Sequence, residues 1–218
     1  DPSCEAIREA LFDLYRERAA WGPLASALVV ASEHEKSPAL RYAFARDAAQ
    51  LYHGKLGDKA SAIGALERAL ASQPADATQP DDKELPLLLA ESLHAAGRLD
   101  DARVALEKII ESYGRRRGSE RAKVHARLAG VLRDSGDKKA ALEQLDLATK
   151  MDVEDTALLR QLAAYAQESG ELERAERSFR TLLLLVRRQS DSHSSSIGVG
   201  EVLFALHAIS EARGDEEQ

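Results

Sequence analysis

One phrase recurs along this 218-residue chain, and it constrains the fold more than any single residue does. An apolar residue is followed by a small one, then by an apolar residue three or four places on and a turn glycine. An alanine comes next, then an apolar residue four places on and another three beyond. The cleanest copy is Leu89-Ala90, Leu93, Gly97, Ala102, Leu106, Ile109. The next is Leu128-Ala129, Leu132, Gly136, Ala141, Leu145, Ala148, and a third is Leu162-Ala163, Ala166, Gly170, Ala175, Phe179, Leu182. Spacings of three and four mark one face of a helix, so each copy reads as two amphipathic helices around a glycine turn. The turn glycines Gly57, Gly97, Gly136, Gly170 and Gly214 step by 40, 39, 34 and 44 residues. The alanines Ala62, Ala102, Ala141 and Ala175 step by 40, 39 and 34. A period of roughly 20–50 residues is the signature of stacked supersecondary units.

The spacing predicts repeats at about 3–37, 38–74, 83–117, 119–154 and 155–190, with a half repeat at 198–213. The first is degenerate. Its first helix is expected over 3–20 with Ser3 as N-cap and Ile7, Leu11, Leu14 and Tyr15 on the core face. Trp21-Gly22-Pro23 is expected to make the turn, with Trp21 packed between helices, and Leu24, Leu28 and Ala31 to face inward on the second helix. In the second repeat, Gly54 through Gly57 form a turn one residue longer than in the other copies. Pro74 closes that repeat, and residues 75–82 and the Ser-rich 189–196 read as loops. The terminal Gly214-Asp215 looks like a repeat's inner turn, which predicts a piece cut from a longer repeat protein.

Composition supports an all-helical reading. Apolar residues are 44% of the chain and aromatics 5%. A core of Leu and Ala suits closely packed helices, and no segment sustains β-branched alternation. The net charge is −7, from 30 basic and 37 acidic residues mixed in sign, which disfavours nucleic acid as a partner. Cys4 is the only cysteine, so no disulfide framework or thiolate metal site is expected. Residues 1–20 lack the apolar core of a signal peptide, and Asp-Pro-Ser before Cys4 is no lipoprotein signal. The apolar run Leu182–Val186 is far below the ~20 residues that span a bilayer. These features point to a cytoplasmic protein without membrane insertion.

The chain's partial matches to chemical motifs are each incomplete. His34-Glu35 begins a zinc-protease pattern, but Pro38 stands where the second histidine belongs. The remaining histidines (His53, His94, His125, His193, His207) are isolated, so no metal is expected. Gly198-Val199-Gly200 starts a dinucleotide fingerprint, yet Leu203 replaces its last glycine and no strand precedes it. Ser192-His193-Ser194 has no acidic partner in an evident constellation. No catalytic residue, no cofactor and no enzyme activity are expected.

The repeated residues resemble the tetratricopeptide repeat family, over five repeats plus half of a sixth. The longer spacing and the Leu56-Gly57-Asp58 turn are similar to bacterial scaffold proteins that carry many such repeats. The resemblance implies a right-handed superhelical solenoid of antiparallel helix pairs, about 11 helices in all. It implies a non-catalytic scaffold that binds a peptide or partner protein in a concave groove lined by the first helices. The chain departs from the family at several large aromatic positions, where it carries Ala, Leu or Ile. It also contains no Asn, which excludes the Lys/Asn clamp that one subclass uses on acidic chaperone tails.

By the family's pattern, the groove positions are Arg46, Asp47 and Gln50 in repeat two and Leu87, Glu91 and His94 in repeat three. They are Lys123, Arg127 and Gly130 in repeat four, and Arg160, Ala164 and Gln167 in repeat five. The basic run Arg115–Arg117, continued by Arg121, Lys123, Arg127 and Arg133, makes an acidic partner segment the expected one, held by Arg–carboxylate forks. The alternative expectation is an architectural spacer or regulatory module of a larger signalling or cell-envelope protein. The sequence does not specify an oligomeric state.

Overall fold

The computed structural model describes residues 5–73, 83–114, 118–190 and 198–214. Ser3, Cys4, Pro74, the 75–82 loop, Arg115–Arg117 and Ser192-His193-Ser194 lie outside them. The described residues form eleven α-helices and no strand. The chain divides into two compact units, Asp1–Ile109 and Ile110–Gln218.

The first unit holds α1 (Glu5–Glu17), α2 (Trp21–His34), α3 (Pro38–Leu51), α4 (Lys59–Ser72), α5 (Glu84–Ala95) and most of α6 (Leu99–Ser112). Each of α2, α3 and α4 packs on the helix that follows it. The second unit holds α7 (Ser119–Asp134), α8 (Lys138–Met151), α9 (Thr156–Glu168), α10 (Leu172–Ser190) and α11 (Val199–Arg213). There α7 through α11 also pack in chain order. The repeated small residues sit where helices meet: Ala49, Ala62, Ala102, Ala129, Ala141, Ala163 and Ala175 are fully buried.

The turns explain why glycine recurs. After α7, the Gly136 N–H donates to Arg133 O and the Asp137 N–H to Leu132 O, both at 2.9 Å. Gly97 and Gly170 repeat the same pair of bonds after α5 and α9. This arrangement satisfies the orphan carbonyls of a helix end and needs a left-handed residue, here Gly136 at φ 91°. The next helix is then capped by Asp137, whose carboxylate accepts from the Ala140 N–H at 3.0 Å. Asp58 and Asp155 cap α4 and α9 in the same manner.

Three local expectations are corrected. In the first hairpin the turn lies at 18–20, not at Trp21-Gly22-Pro23, and Trp21 already opens α2. Ala19 takes the glycine's place at φ 49°, with the Ala19 N–H on Arg16 O and the Ala20 N–H on Tyr15 O. The first helix also turns a different face inward: Phe12 is buried, while Ile7, Leu11 and Leu14 are exposed at 59%, 37% and 38%. Finally, the extra residue of the second repeat extends the helix as a π-helical turn, Tyr52–Leu56, rather than loosening a loop. A π-turn absorbs one inserted residue because its bonds reach one residue further. The Asp58 N–H accordingly spans back to Tyr52 O, at 3.0 Å.

Candidate functional site: the open stripes of the first helices

A first helix packed against neighbouring helices keeps only part of its surface open to solvent. On α7 this is unambiguous. Ala122, Val124, His125, Ala126, Leu128, Ala129, Val131 and Leu132 are all buried. Glu120, Lys123, Arg127 and Asp134 are exposed and Gly130 is half-buried, so these five form one strip at helical spacing. On α9 the corresponding strip is Ala157, Arg160, Ala164 and Gln167, of which Ala164 is half-buried. In the first unit, Arg46 and Asp47 are half-buried and Gln50 is exposed on α3. On α5, Leu87, Glu91 and His94 are all half-buried.

Ion pairs shape the charge of these strips. Lys123 Nζ donates to Glu120 Oε1 at 2.7 Å, and that contact raises the pKa of the ammonium. Arg46 donates twice to Asp47 Oδ1, at 3.1 and 3.2 Å, and lies 5.9 Å from the centre of the Tyr42 ring. Arg160 reaches Glu201 of α11 at 3.8 Å, so the α9 strip continues onto α11. Arg133 sits over the Tyr165 ring at 4.6 Å and ties α7 to α9 just beside the strips. Two groups lie outside the expected set. Phe204 on α11, 74% exposed, stands one helical turn beyond Glu201. His53, in the π-helical turn, places Nδ1 3.2 Å from the Oγ of buried Ser92 on α5. Phe204 was findable in sequence as the apolar residue three after Glu201, whereas His53 depended on the geometry of the inserted turn.

Among the described residues of the second unit, one imidazole is buried. His125 is 4% exposed, with Nδ1 2.8 Å from Gln144 Oε1 of α8 and Nε2 without a partner. Burial holds its pKa below the ordinary 6.5, helped by the nearby Arg121 charge and opposed by the Gln144 bond. Among the described residues, no group of three or more His, Cys, Asp or Glu side chains is placed to hold a metal ion. No described helix is long and apolar enough to cross a membrane.

Solved structures place this arrangement. A MamA protein superposes with a TM-score of 0.66 at 13% identity, over 88% of this chain and 97% of that one. The TPR-like repeats of a Podosopora anserina putative kinesin light chain give 0.63 at 18% identity, over 89% and 99%. The fold is TPR-like. BtubC (BKLC) from P. vanneervenii gives 0.66 at 19% identity, over 93% of this chain and 85% of that one. No family model matches the sequence, and no curated protein does. The TPR-like likeness is thus one of fold rather than of overall sequence identity.

Proposed function

We propose that this chain is a non-catalytic protein-interaction scaffold that holds a peptide or partner protein along the open strips of its first helices. The observation that supports this reading is α7. Eight of its residues are buried by packing, and Glu120, Lys123, Arg127, Gly130 and Asp134 form an open strip at helical spacing. The charged side chains there stand at the surface rather than in the core. Gly130 and Ala164 keep the strips low enough for a peptide backbone to approach, and Lys123, Arg127 and Arg160 supply donors for carboxylates. The first unit offers Arg46, Asp47 and Gln50 on α3 with Leu87, Glu91 and His94 on α5. In this reading the partner segment is acidic and the protein cytoplasmic.

A second reading is an architectural spacer or regulatory module of a larger signalling or cell-envelope protein. It is favoured by the internal pairing of the strip's cations: Lys123 with Glu120, Arg160 with Glu201 and Arg46 with Asp47. A pull-down from native lysate separates the two, with wild type beside the double substitution Arg127→Glu/Arg160→Glu. Both side chains are exposed, so the variant is expected to keep the wild-type helical circular dichroism. Loss of a retained protein from the folded variant supports strip binding. Equal recovery by both removes the strips from the reading and leaves the spacer.

A further inference from the structure

The outer face of α10 is charged unlike its counterparts. From the seventh place after the turn glycine onward, α4 carries Glu67 and Arg68, and α6 carries Glu107, Lys108 and Glu111. Over the same stretch α8 carries Glu143, Asp146 and Lys150, so each of the three mixes signs. In α10 the stretch carries Arg177, Arg180, Arg187 and Arg188 and no acid, within a chain of net charge −7. Arg177, Arg180, Leu184 and Arg188 follow at spacings of three, four and four, which sets them in one row along the helix. All four are exposed, Leu184 at 68%. At 1.5 Å per residue the row is about 17 Å long.

A further repeat stacked on α10 would leave this row open. The places eleven and fourteen residues after the turn glycine hold Arg68 and Ala71 in α4 and Leu147 and Lys150 in α8. All four are exposed, although the first helix of the next repeat packs on each of these helices. The positive charge is only partly met from within. Glu176 is shared between Arg180 and Arg213, and Arg174 is committed to Asp146 and Glu171. Arg177 donates its Nε to the Glu173 carbonyl at 3.3 Å, and among the described residues no carboxylate pairs with Arg177, Arg187 or Arg188. Arg177 and Thr181 also line a recess of about 240 Å³ beside the row, where the one carboxylate, Asp146, is already held by Arg174. Guanidinium forks match carboxylates in shape and charge. We propose that Arg177, Arg180, Leu184 and Arg188 dock an acidic segment of a partner polypeptide, its carboxylates on the arginines and an apolar side chain on Leu184. The leucine amid the cations favours a polypeptide over a nucleic acid, whose phosphates make no use of it, and one leucine is too little to enter a bilayer. This surface is separate from the strips of the first helices.

The probe is a fluorescein-labelled helical peptide whose single leucine is flanked on both sides by glutamates four and seven places away, the spacing of the row. It is titrated against the full chain by fluorescence anisotropy. Arg177→Glu/Arg188→Glu is expected to weaken binding by tenfold or more, and Leu184→Ala by severalfold. Affinity should fall as salt is raised. Lys108→Glu, at an exposed lysine of α6, should leave binding unchanged. The substituted side chains stand in solvent, so the variants are expected to fold, and Arg177→Gln/Arg188→Gln keeps the test valid if the glutamate pair does not. Failure of wild type to bind, equal binding by the double variant, or an equal loss with Lys108→Glu would overturn the proposal. So would loss with Arg127→Glu in place of the α10 variants, which would put the peptide on the first-helix strips. Tighter binding of a single-stranded oligonucleotide to the same row would replace the polypeptide by a nucleic acid. Self-association abolished by Arg177→Glu/Arg188→Glu would make the occupant a second copy of this chain, and either result overturns the proposal.

Discussion

The hairpin α1–α2 in the first unit and the hairpin α7–α8 in the second follow one spacing with opposite contents. Seven residues before the turn stands Phe12 in one and Ala129 in the other; five after it stand Leu24 and Ala141. The turn residue itself is Ala19 in one and Gly136 in the other. All four contact residues are buried, at 4%, 2%, 0% and 0% exposure. Two alanines let α7 and α8 run close along their length, whereas α1 and α2 meet over a much smaller part of theirs. The spacing therefore fixes that two helices pair, and side-chain volume at two positions fixes how closely. Where the pair is wide, a cleft opens beside it. Where it is tight, far more of the first helix is buried.

The most damaging way to break this contrast is to exchange the contact residues. Phe12→Ala should cost about 3–5 kcal/mol through the cavity it leaves, and Ala129→Leu about 1–3 kcal/mol through overpacking. Urea unfolding of each variant measures this, and a neutral Ala129→Leu would show that α7 and α8 are not held at their closest approach. Exchanging the turn residues should have a smaller effect, of opposite sign in the two hairpins. Ala19→Gly should stabilise by about 1 kcal/mol and Gly136→Ala destabilise by about 1–2 kcal/mol, because L residues resist positive φ. A Cβ on Gly136 meets nothing within 4 Å, so the shift in melting temperature reports backbone strain alone.

The smallest effect should come from pH and touch only the tight hairpin. His125 has a depressed pKa when folded, so just below pH 6.5 the unfolded chain binds the extra proton. Stability then rises with pH through that window and is flat above it, and acidification below it costs stability. His125→Leu imitates Leu159, which holds the same place in α9. It should flatten this part of the profile in chemical unfolding on either side of pH 6.5. An unchanged slope would assign it to other groups.

Several features were legible before the structure. The glycine and alanine steps located the helix pairs, since Gly97, Gly136 and Gly170 each stop a helix in the one conformation glycine accepts freely. The same register placed Lys123, Arg127 and Gly130 on one strip of α7. The first repeat was read less well. Its turn residue is an alanine, so the strongest punctuation mark was missing. Its apolar residues cover more than one face of α1, and periodicity alone did not say which would be buried. The extra residue at Gly54–Gly57 was visible, but its resolution into a π-helical turn was not. That outcome depends on what the displaced side chains meet: His53 at Ser92, and Lys55 over the Trp21 ring at 5.8 Å.

By itself, the sequence determined that this protein is built of helix pairs, where each pair turns and which small residues let the helices meet. Those properties are local, set by residues within a few turns of one another. Only the tertiary structure decided which face of α1 is covered, how widely α1 and α2 part, and that His125 is sealed against Gln144. Each of these depends on volumes and partners contributed by other helices, and a chain's own periodicity marks a face without saying what will lie on it.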